Sequence, residues 1–309
     1  MKNIRQKEPL ISVIMPVYNG SLFIGQAIES ILRQTYKNFE LIIVNDGSKD
    51  NSLEIINHFV RKYPQKIKVI SYKKNKGESA AANIGFATSK GEFISRMDAD
   101  DIAYPQKLAQ QVAFMLKNPR TIVLGVQADV INEQGQKTGL KTFPLTHSRI
   151  YEAYGYYHPM LHPACLFRRS LLPNQKKLWQ DNHEPNDDYY TLFGLLGCGQ
   201  FANLPQRLIA YRIHANNKSL KNPKAKVLFF IKIRRDAIAD FGYKLSSRVI
   251  LLNLAQFFGV LILPKSLIVP LYLFFRGMSV NNPLTKIVSK FNLRPLPFRK
   301  IASLPSFKN

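Results

Sequence analysis

Residues 39–62, "FELIIVNDGSKDNSLEIINHFVRK", read as one strand, one turn and one helix. The run "FELIIVND" (39–46) is short and almost continuously apolar, which is typical of a strand covered on both faces. The polar stretch "NDGSKD" (45–50) follows, and a helical pattern then extends to about residue 62, with Asp50 near its start. This order predicts a helix that packs back on a parallel sheet.

The same strand and helix order recurs on both sides of this unit. Similar apolar runs are "LISVIMPVY" (10–18), "IKVISY" (67–72) and "GEFISRMD" (91–98), and the further helical patterns lie at 21–34, 78–89 and 105–117. From about residue 120 the pattern changes to "TIVLGVQADVI", "ACLFRRS", a helix around 187–197 and an extended run near 206–213. We therefore predict an α/β fold with a mostly parallel, Rossmann-like sheet and helices on both faces.

The composition is that of a folded, intracellular protein. A chain of 309 residues with 46% hydrophobic content can bury a large core, so wholesale disorder is excluded. The polar opening "MKNIRQKEPL" predicts no secretory signal. Cys165 and Cys198 are too few for a disulfide framework, which favours small buried thiols in a reducing compartment.

Positive charge is concentrated in the last third of the chain. The formal net charge is +24, and residues 206–309 hold 19 Lys and Arg against two Asp and Glu. The same segment contains "VILLNLAQFFGVLIL" (249–263), which is shorter than the roughly 20 residues of a spanning helix. The sequence predicts one or two helices lying on an anionic membrane surface. The alternative is a helical hairpin packed on protein; nucleic acid is disfavoured because no module that reads it is recognisable.

Polar residues follow each of the four early strands, where the carboxyl ends of parallel strands line a ligand crevice. The densest group is "DADD" (98–101), with three carboxylates in four positions. Like charges at this density favour a bound cation, and hard oxygen ligands suit Mg²⁺ or Mn²⁺. The alternative is a solvated acidic turn. The sequence has no G-x-G-x-x-G and no G-K-[ST], which disfavours dinucleotide and P-loop sites.

Four stretches together resemble the inverting family 2 glycosyltransferases of the GT-A fold. In chain order they are "ISVIMPVYNG", "FELIIVNDGSKDNS", "GEFISRMDADDIAYPQKLAQQVAFM" and "PNDDYYTLFGLLGCGQFANLPQRLIAYRIHANNKS". The resemblance covers about residues 10–219. It implies a nucleotide-sugar donor, a divalent metal cofactor (Mn²⁺ or Mg²⁺) and a carboxylate base.

The resemblance also implies a donor-binding set. Pro16, Tyr18 and Asn19 match the turn that packs on the nucleotide, with the Tyr18 ring available to stack on the base. Asp46 matches the aspartate that accepts a hydrogen bond from the base, and Asp98 matches the first D-x-D residue, towards the ribose.

Metal and base residues are carried over in the same way. Asp100 matches the metal ligand of D-x-D, and His214 in "YRIH" falls where some members supply another ligand. Asp188 matches the late catalytic aspartate. Many members have Glu-Asp where this chain has Asp187-Asp188, which leaves the assignment of the base open by one position.

A second departure concerns a cation. Many members have an arginine where this chain has Ala82, and its donor contact is then lost or supplied elsewhere. Arg96 and Lys76 are nearby cations, and each could instead balance the acidic cluster. Acceptor contacts are expected from loops around 140–185, which contain "YYHPMLHPAC" and Trp179.

These observations predict a catalytic domain at 1–220 and a basic, apolar C-terminal segment at 221–309. The expected activity is transfer from a UDP-sugar to a glycan or lipid-linked acceptor of surface polysaccharide, at the cytoplasmic face of the cell membrane. Two rivals stay open. One is an inactive, membrane-bound scaffold with the same fold; the other is a nucleotidyltransferase, although "PVYNGSLFIG" lacks the basic loop such enzymes usually carry.

Overall fold

The computed structural model describes residues 8–181, 183, 186–214, 223–264 and 278–280. The four predicted parallel strands are present as a contiguous half-sheet in the order β4, β1, β2, β3. Their bounds are β1 Ile11–Val17, β2 Phe39–Asp46, β3 Ile67–Tyr72 and β4 Phe93–Arg96, and they alternate with α1 Ile24–Leu32, α2 Ser52–Lys62, α3 Glu78–Thr88 and, after the short β5 Ile102–Ala103, α4 Lys107–Lys117.

The second half of the chain extends this sheet with mixed strand directions. Strand β8 (Leu166–Arg168) joins β4 to β6 (Thr121–Ile131) and is antiparallel to both. Strand β9 (Gln200–Arg212) runs parallel to β6, while β7 (Lys137–Lys141) and β10 (Met278–Val280) are antiparallel additions. Helices α5 (His147–Tyr154) and α6 (Asp187–Leu195) lie between these strands in sequence. The result is a mixed α/β sheet flanked by helices.

The sheet has a hydrophobic core on each face, because alternate residues of a strand point in opposite directions. Val13 and Met15 of β1 pack in a cluster with α1, α2 and α4. Ile14, between them, packs in the other cluster with α3, α5 and α6. Burial on both faces explains why the early strands read as continuous apolar runs rather than as alternating ones.

The turns after the strands approach one another at the carboxyl edge of the sheet. Gly47, directly after β2, has φ +74, and a Cβ there would lie 2.8 Å from the Asn75 backbone nitrogen. Asn19, after β1, also has a positive φ, of 52°. Gly47 therefore allows the β2 and β3 loops to meet closely.

The C-terminal part forms two helices, α7 (Pro223–Phe241) and α8 (Ser247–Ile262). Phe230, Ile233 and Ala237 of α7 are buried in the same core as α6. Helix α8 matches the predicted apolar run closely. In the part of the chain that is described, no helix combines the length and apolar character needed to cross a membrane. The run "SLIVPLYLFF" (266–275) and the basic tail lie outside the described residues.

Candidate active site

A cleft of about 490 Å³ opens at the carboxyl edge of β1, β2 and β4. Strand β9 and the start of α6 close its other side. Every residue predicted for the site lines this cleft: Pro16, Tyr18, Asn19, Asp46, Asp98, Asp100, Asp188 and His214. The chain therefore brings side chains from five separate sequence regions into one cavity.

The β1 turn forms one lip of the cleft. Tyr18 is 50% exposed, so its ring face is available to a ligand. The next residue, Asn19, is tied to the β2 loop: its backbone N–H donates to Ser48 Oγ at 3.0 Å, and its Oδ1 accepts from the Lys49 N–H at 2.8 Å. These two bonds hold the turn, and hence Tyr18, in a fixed place.

Asp46 ends β2 and is buried beneath this lip. Its Oδ1 accepts from the Lys76 N–H at 2.9 Å, and its Oδ2 accepts from the Gly77 N–H at 3.0 Å. The carboxylate thus fastens the loop between β3 and α3. Each oxygen keeps a second acceptor site, so a ligand donor could still be bound.

The three carboxylates that follow β4, those of Asp98, Asp100 and Asp101, lie in different environments. One carboxylate oxygen each from Asp98, Asp100 and Asp101 lie within 4.8 Å of one another. Asp98 Oδ1 forms an ion pair with Arg96 Nη2 at 2.9 Å. Burial raises the pKa of Asp98 to about 7, an effect that Arg96 opposes and the neighbouring carboxylates reinforce.

Asp100 faces the cleft, whereas Asp101 faces the protein. The Asp100 Oδ2 lies 2.9 Å from His214 Nε2. Asp101 is buried, accepts the Arg212 N–H at 2.9 Å, and has a pKa raised well above its usual value by burial and by the other two carboxylates. Arg212 also donates to the Asp100 carbonyl at 2.8 Å. Asp101 and Arg212 therefore shape the loop that presents Asp100.

This donor set fits a hard divalent cation. Three carboxylates with a histidine beside them provide oxygen and nitrogen ligands, and the pKa of two of them is raised in the absence of added positive charge. The Asp101 Oδ2 is buried and receives no hydrogen bond from any of the residues described. A cation beside the cluster would offset the mutual repulsion of the three carboxylates.

The two adjacent aspartates of α6 differ in environment. Asp187 is buried, and its two oxygens accept from Ser79 Oγ at 2.7 Å and from the His183 N–H at 2.7 Å. The Asp188 side chain is 34% exposed and faces the cleft. Burial opposes its ionisation, but the nearby histidines and the Tyr189 N–H together hold the pKa of Asp188 well below its usual value.

Cations near the cluster have partners inside the protein. Arg96 is almost fully buried and bridges Asp98 and Glu78, each at 2.9 Å. The Lys76 ammonium lies 4.1 Å from the centre of the Tyr72 ring. Ala82 of α3 lines the cleft and is buried. The sequence left Arg96 either as a donor contact or as a counter-charge to the acidic cluster. Its two ion pairs correspond to the counter-charge.

Several lining residues had no specific prediction. His158, His162 and Trp179 come from the region expected to contact the acceptor, and Lys141 and Tyr211 come from β7 and β9. The Trp179 Nε1–H donates to His162 Nε2 at 2.7 Å. Only the clustering of histidines in "YYHPMLHPAC" hinted at them, and their spacing matches no ligand motif.

Comparison with known proteins matches the sequence of this chain to one family. The family model described as glycosyl transferase family 2 matches residues 12–174. An uncharacterized glycosyltransferase of Haemophilus influenzae is 32% identical over 273 residues, which is 84% of this chain and 82% of that protein. The chain belongs to glycosyltransferase family 2.

Another relative is also a glycosyltransferase by name, and solved structures share the fold. The putative glycosyltransferase EpsE of Bacillus subtilis is 36% identical over 162 residues, covering 52% of this chain and 57% of EpsE. Among solved structures, S. aureus TarS 1-349 in complex with UDP-GlcNAc has a TM-score of 0.61 at 20% identity, over 86% of this chain and 80% of that one. The Pyrobaculum calidifontis mannosyltransferase PcManGT, in complex with GDP-Man and Mn²⁺, has a TM-score of 0.58 at 15% identity, over 93% and 80%. The mixed sheet is that of a GT-A glycosyltransferase.

Proposed function

We propose that this glycosyltransferase moves a sugar, with inversion, from a UDP-sugar to a glycan or lipid-linked acceptor of cell-surface polysaccharide. The observation that carries the proposal is the convergence of Asp46, Asp98, Asp100 and Asp188 on one cleft. Because the relatives are glycosyltransferases by name, they support sugar transfer as the reaction that takes place in this cleft. TarS, whose fold this chain shares, was solved with UDP-GlcNAc, which supports a uridine donor.

The proposed donor orientation follows the cleft from one lip to the other. Pro16, Tyr18, Asn19 and Asp46 would hold the nucleotide, and Asp98 would lie towards the ribose. The diphosphate would then reach Asp100. The sugar would extend towards Asp188, which lines the same cleft from the start of α6.

The proposed cofactor is Mn²⁺ or Mg²⁺, held by Asp100 and His214. A divalent cation there would act as a Lewis acid on the leaving diphosphate. The protein's own contribution is to place the two ligands: Arg212 holds the Asp100 carbonyl, and the His214 ring packs 5.1 Å from the Phe23 ring.

Asp188 is the proposed general base. The acceptor hydroxyl loses its proton to this carboxylate while its oxygen bonds to the anomeric carbon, and the bond from that carbon to the nucleotide diphosphate breaks with its electron pair. One base and one in-line displacement give inversion without a covalent enzyme intermediate. The lowered pKa of Asp188 keeps the carboxylate ionised at neutral pH.

Substitution of Tyr18 tests nucleotide binding directly. Tyr18→Phe should leave the Kd for UDP almost unchanged, whereas Tyr18→Ala should weaken it, because stacking of a base on an aromatic ring contributes about 1–3 kcal/mol. Calorimetric titration with UDP, GDP, ADP and CDP measures both the effect and the preferred base. Equal affinity of Tyr18→Ala and wild type for every nucleotide would contradict the proposed stacking.

We also propose that α8 attaches the protein to an anionic membrane surface at its cytoplasmic face. Seven apolar residues of this helix are 39–77% exposed: Ile250, Leu251, Leu254, Phe257, Phe258, Leu261 and Ile262. Exposed basic residues occur nearby in the chain: Lys244 before the helix, Arg248 in its first turn, and Lys232 and Arg235 on α7. An apolar face bordered by cations is complementary to anionic lipid.

The polar side of α8 faces inward, which is the reverse of an ordinary surface helix. The buried Arg234 of α7 donates to Asn253 Oδ1 at 2.9 Å and to Gln256 Oε1 at 2.7 Å. Asn253 Nδ2 donates to the Gly155 carbonyl at 2.6 Å, and Gln256 Nε2 to the Tyr156 carbonyl at 2.9 Å. These bonds hold α8 on the protein by its polar side, so its apolar side is directed outward.

This arrangement refines the proposed domain organisation. Residues 1–220 would form the catalytic domain and 221–309 the attachment segment, with α7 as the anchor because its buried residues share a core with α6. Removing everything after residue 220 would expose that core. Point substitutions in α8 are therefore a sharper probe than truncation.

Replacing Leu251, Leu254 and Phe258 together with Ser should abolish most vesicle binding. A loss of about 2 kcal/mol of apolar burial lowers the partition coefficient roughly thirtyfold. Sedimentation with phosphatidylglycerol vesicles measures it. Leu116→Ser is the matched control, since Leu116 is 57% exposed on α4, away from this surface. Failure of the wild type to bind anionic vesicles at low salt, or dimerisation through α8 in light scattering, would contradict the attachment.

A further inference from the structure

His158 lies beside Asp188, the proposed base, and is not among the residues proposed to bind the donor or the metal. It follows α5 and lines the cleft, yet its side chain is only 8% exposed. Its Nε2 lies 3.3 Å from Asp188 Oδ2. Apart from Asp188, no acceptor among the described residues is close to Nε2. The nearest acceptor for this buried nitrogen is therefore the base itself.

The hydrogen bond at the other ring nitrogen indicates which nitrogen carries the proton. The Met160 N–H donates to His158 Nδ1 at 3.4 Å, so Nδ1 is the acceptor. In a neutral imidazole the proton is then on Nε2, which faces Asp188. At 3.3 Å the contact is longer than an ordinary N–H···O bond, and such catalytic contacts often shorten only when substrates bind.

Two tyrosine rings fix the plane of the imidazole. The Tyr189 ring centroid lies 5.1 Å away at an interplanar angle of 31°, and that of Tyr154 lies 5.8 Å away at 39°. Tyr189 is itself held, because Arg234 Nε donates to its hydroxyl at 3.1 Å and that hydroxyl donates to the Tyr154 carbonyl. The ring therefore cannot turn away from Asp188 without moving α6 or α7.

The other groups that face Asp188 do not offer a competing donor. His162 is neutral, because burial lowers its pKa to about 3, and its Nε2 is used by Trp179. Among the described residues, the remaining titratable neighbours of Asp188 are Asp98, Tyr154, Cys165, Asp187 and Tyr189. Arg96, which also lines the cleft, is engaged with Asp98 and Glu78. His158 is thus the side chain placed to orient the base.

We propose that His158 is a positioning residue that aligns Asp188 for proton transfer, an inference that rests on the proposed function of Asp188. The Tyr189 N–H donates to Asp188 Oδ1 at 2.8 Å, and His158 Nε2 lies 3.3 Å from Oδ2, where its N–H would donate once the contact shortens. Donors at both oxygens fix the plane of the carboxylate, and each oxygen keeps a lone pair for the acceptor hydroxyl. During transfer the hydroxyl proton passes to Asp188 and His158 keeps its own.

The rival is a purely structural histidine that only fills space between the two tyrosines. A structural role predicts that any loss of activity follows loss of stability. A positioning role predicts a loss of kcat with unchanged stability and unchanged KM for the donor, and rescue by a side chain that restores the hydrogen-bond donor.

Three variants of the full-length protein separate these roles. His158→Gln can place an amide N–H near the position of Nε2, His158→Phe keeps the flat ring without the donor, and His158→Asn is too short to reach Asp188. We expect His158→Gln within about threefold of wild-type kcat, and His158→Phe and His158→Asn lower by roughly tenfold to a hundredfold. In those two the KM for donor should be unchanged, so the loss falls on kcat alone.

The readouts are kcat and KM for the donor, from nucleotide release at one fixed pH, and the Tm of each variant. Equal kcat for Gln and Phe would overturn the proposal, as would losses that follow Tm alone. If His158→Phe does not fold, the comparison of Gln with Asn decides. Asp188→Asn, run in parallel, distinguishes a failure of the proposed function: if it retains wild-type activity, Asp188 is not the base and the role of His158 falls with it.

Discussion

Asp188→Asn is expected to lower kcat by roughly 10²–10⁴, the usual contribution of a general base. Asn has the same shape but cannot take the acceptor proton. The Kd for the nucleotide should hardly change, because Asp188 begins α6 and is not among the residues after β1 and β2 that are proposed to hold the nucleotide. Steady-state nucleotide release and calorimetric titration with UDP measure the two effects separately.

Asp187→Asn is the informative control. The carboxylate of Asp187 is engaged by Ser79 and the His183 N–H, so its loss should lower Tm more than it lowers kcat. A severe loss of kcat in Asp187→Asn with near-normal turnover in Asp188→Asn would move the base to position 187. The buried position of Asp187 and the exposed face of Asp188 lead us to expect the opposite.

Asp100→Asn should abolish measurable turnover while the fold persists. The substitution removes one negative charge from the proposed Mn²⁺ or Mg²⁺ site. A cation held there would stabilise the charge on the leaving diphosphate by several kcal/mol, so its loss should lower the rate by roughly 10²–10³ or more. Wild-type protein should likewise lose activity in excess EDTA and regain it when either cation is added. Nucleotide release and thermal unfolding of the same samples provide the measurement.

Asp181→Asn is the matched substitution for this experiment. Asp181 is a surface carboxylate paired with Lys177 at 2.8 Å, and it is outside the cleft. Its replacement should leave both the rate and the response to EDTA unchanged. Full wild-type activity in excess chelator would sink the metal assignment and leave the carboxylates at 98–101 as an ion-independent site.

The first half of the fold could be predicted from the sequence because its signals are local. The run "FELIIVND" became β2 with the same bounds, Phe39–Asp46, since a strand buried on both faces must be apolar throughout. The rule that parallel strands end at one ligand-binding edge then brought Asp46 and Asp98 together. No contact had to be known to reach that conclusion.

The rest of the site depends on contacts between distant parts of the chain. Asp188 and His214 enter the cleft because α6 and β9 close it, and only the family resemblance indicated this. His158 follows no period and no motif, so its place beside Asp188 appears only in three dimensions. The division of the acidic stretch into Asp100 facing out and Asp101 facing in likewise depends on Arg212, more than a hundred residues later.

The C-terminal helix shows the same limit in another form. Its apolar run predicted a helix, and α8 at Ser247–Ile262 is that helix. The side of α8 that faces the protein is set by Arg234, a buried cation on α7. Arg234 donates hydrogen bonds to the side-chain amides of Asn253 and Gln256. A single buried arginine with polar partners is not visible in the periodicity of either helix.

The central proposal, inverting transfer from a nucleotide sugar, is tested most directly by the anomeric configuration of the released sugar. The wild-type protein would be incubated with Mn²⁺ and a panel of UDP-sugars, with water as the surrogate acceptor, and followed by proton NMR before mutarotation. We predict release of UDP from at least one donor, a sugar product of the opposite anomeric configuration, and neither product from Asp188→Asn. Retention of configuration, or the absence of turnover of any nucleotide sugar by the folded protein, would contradict the account.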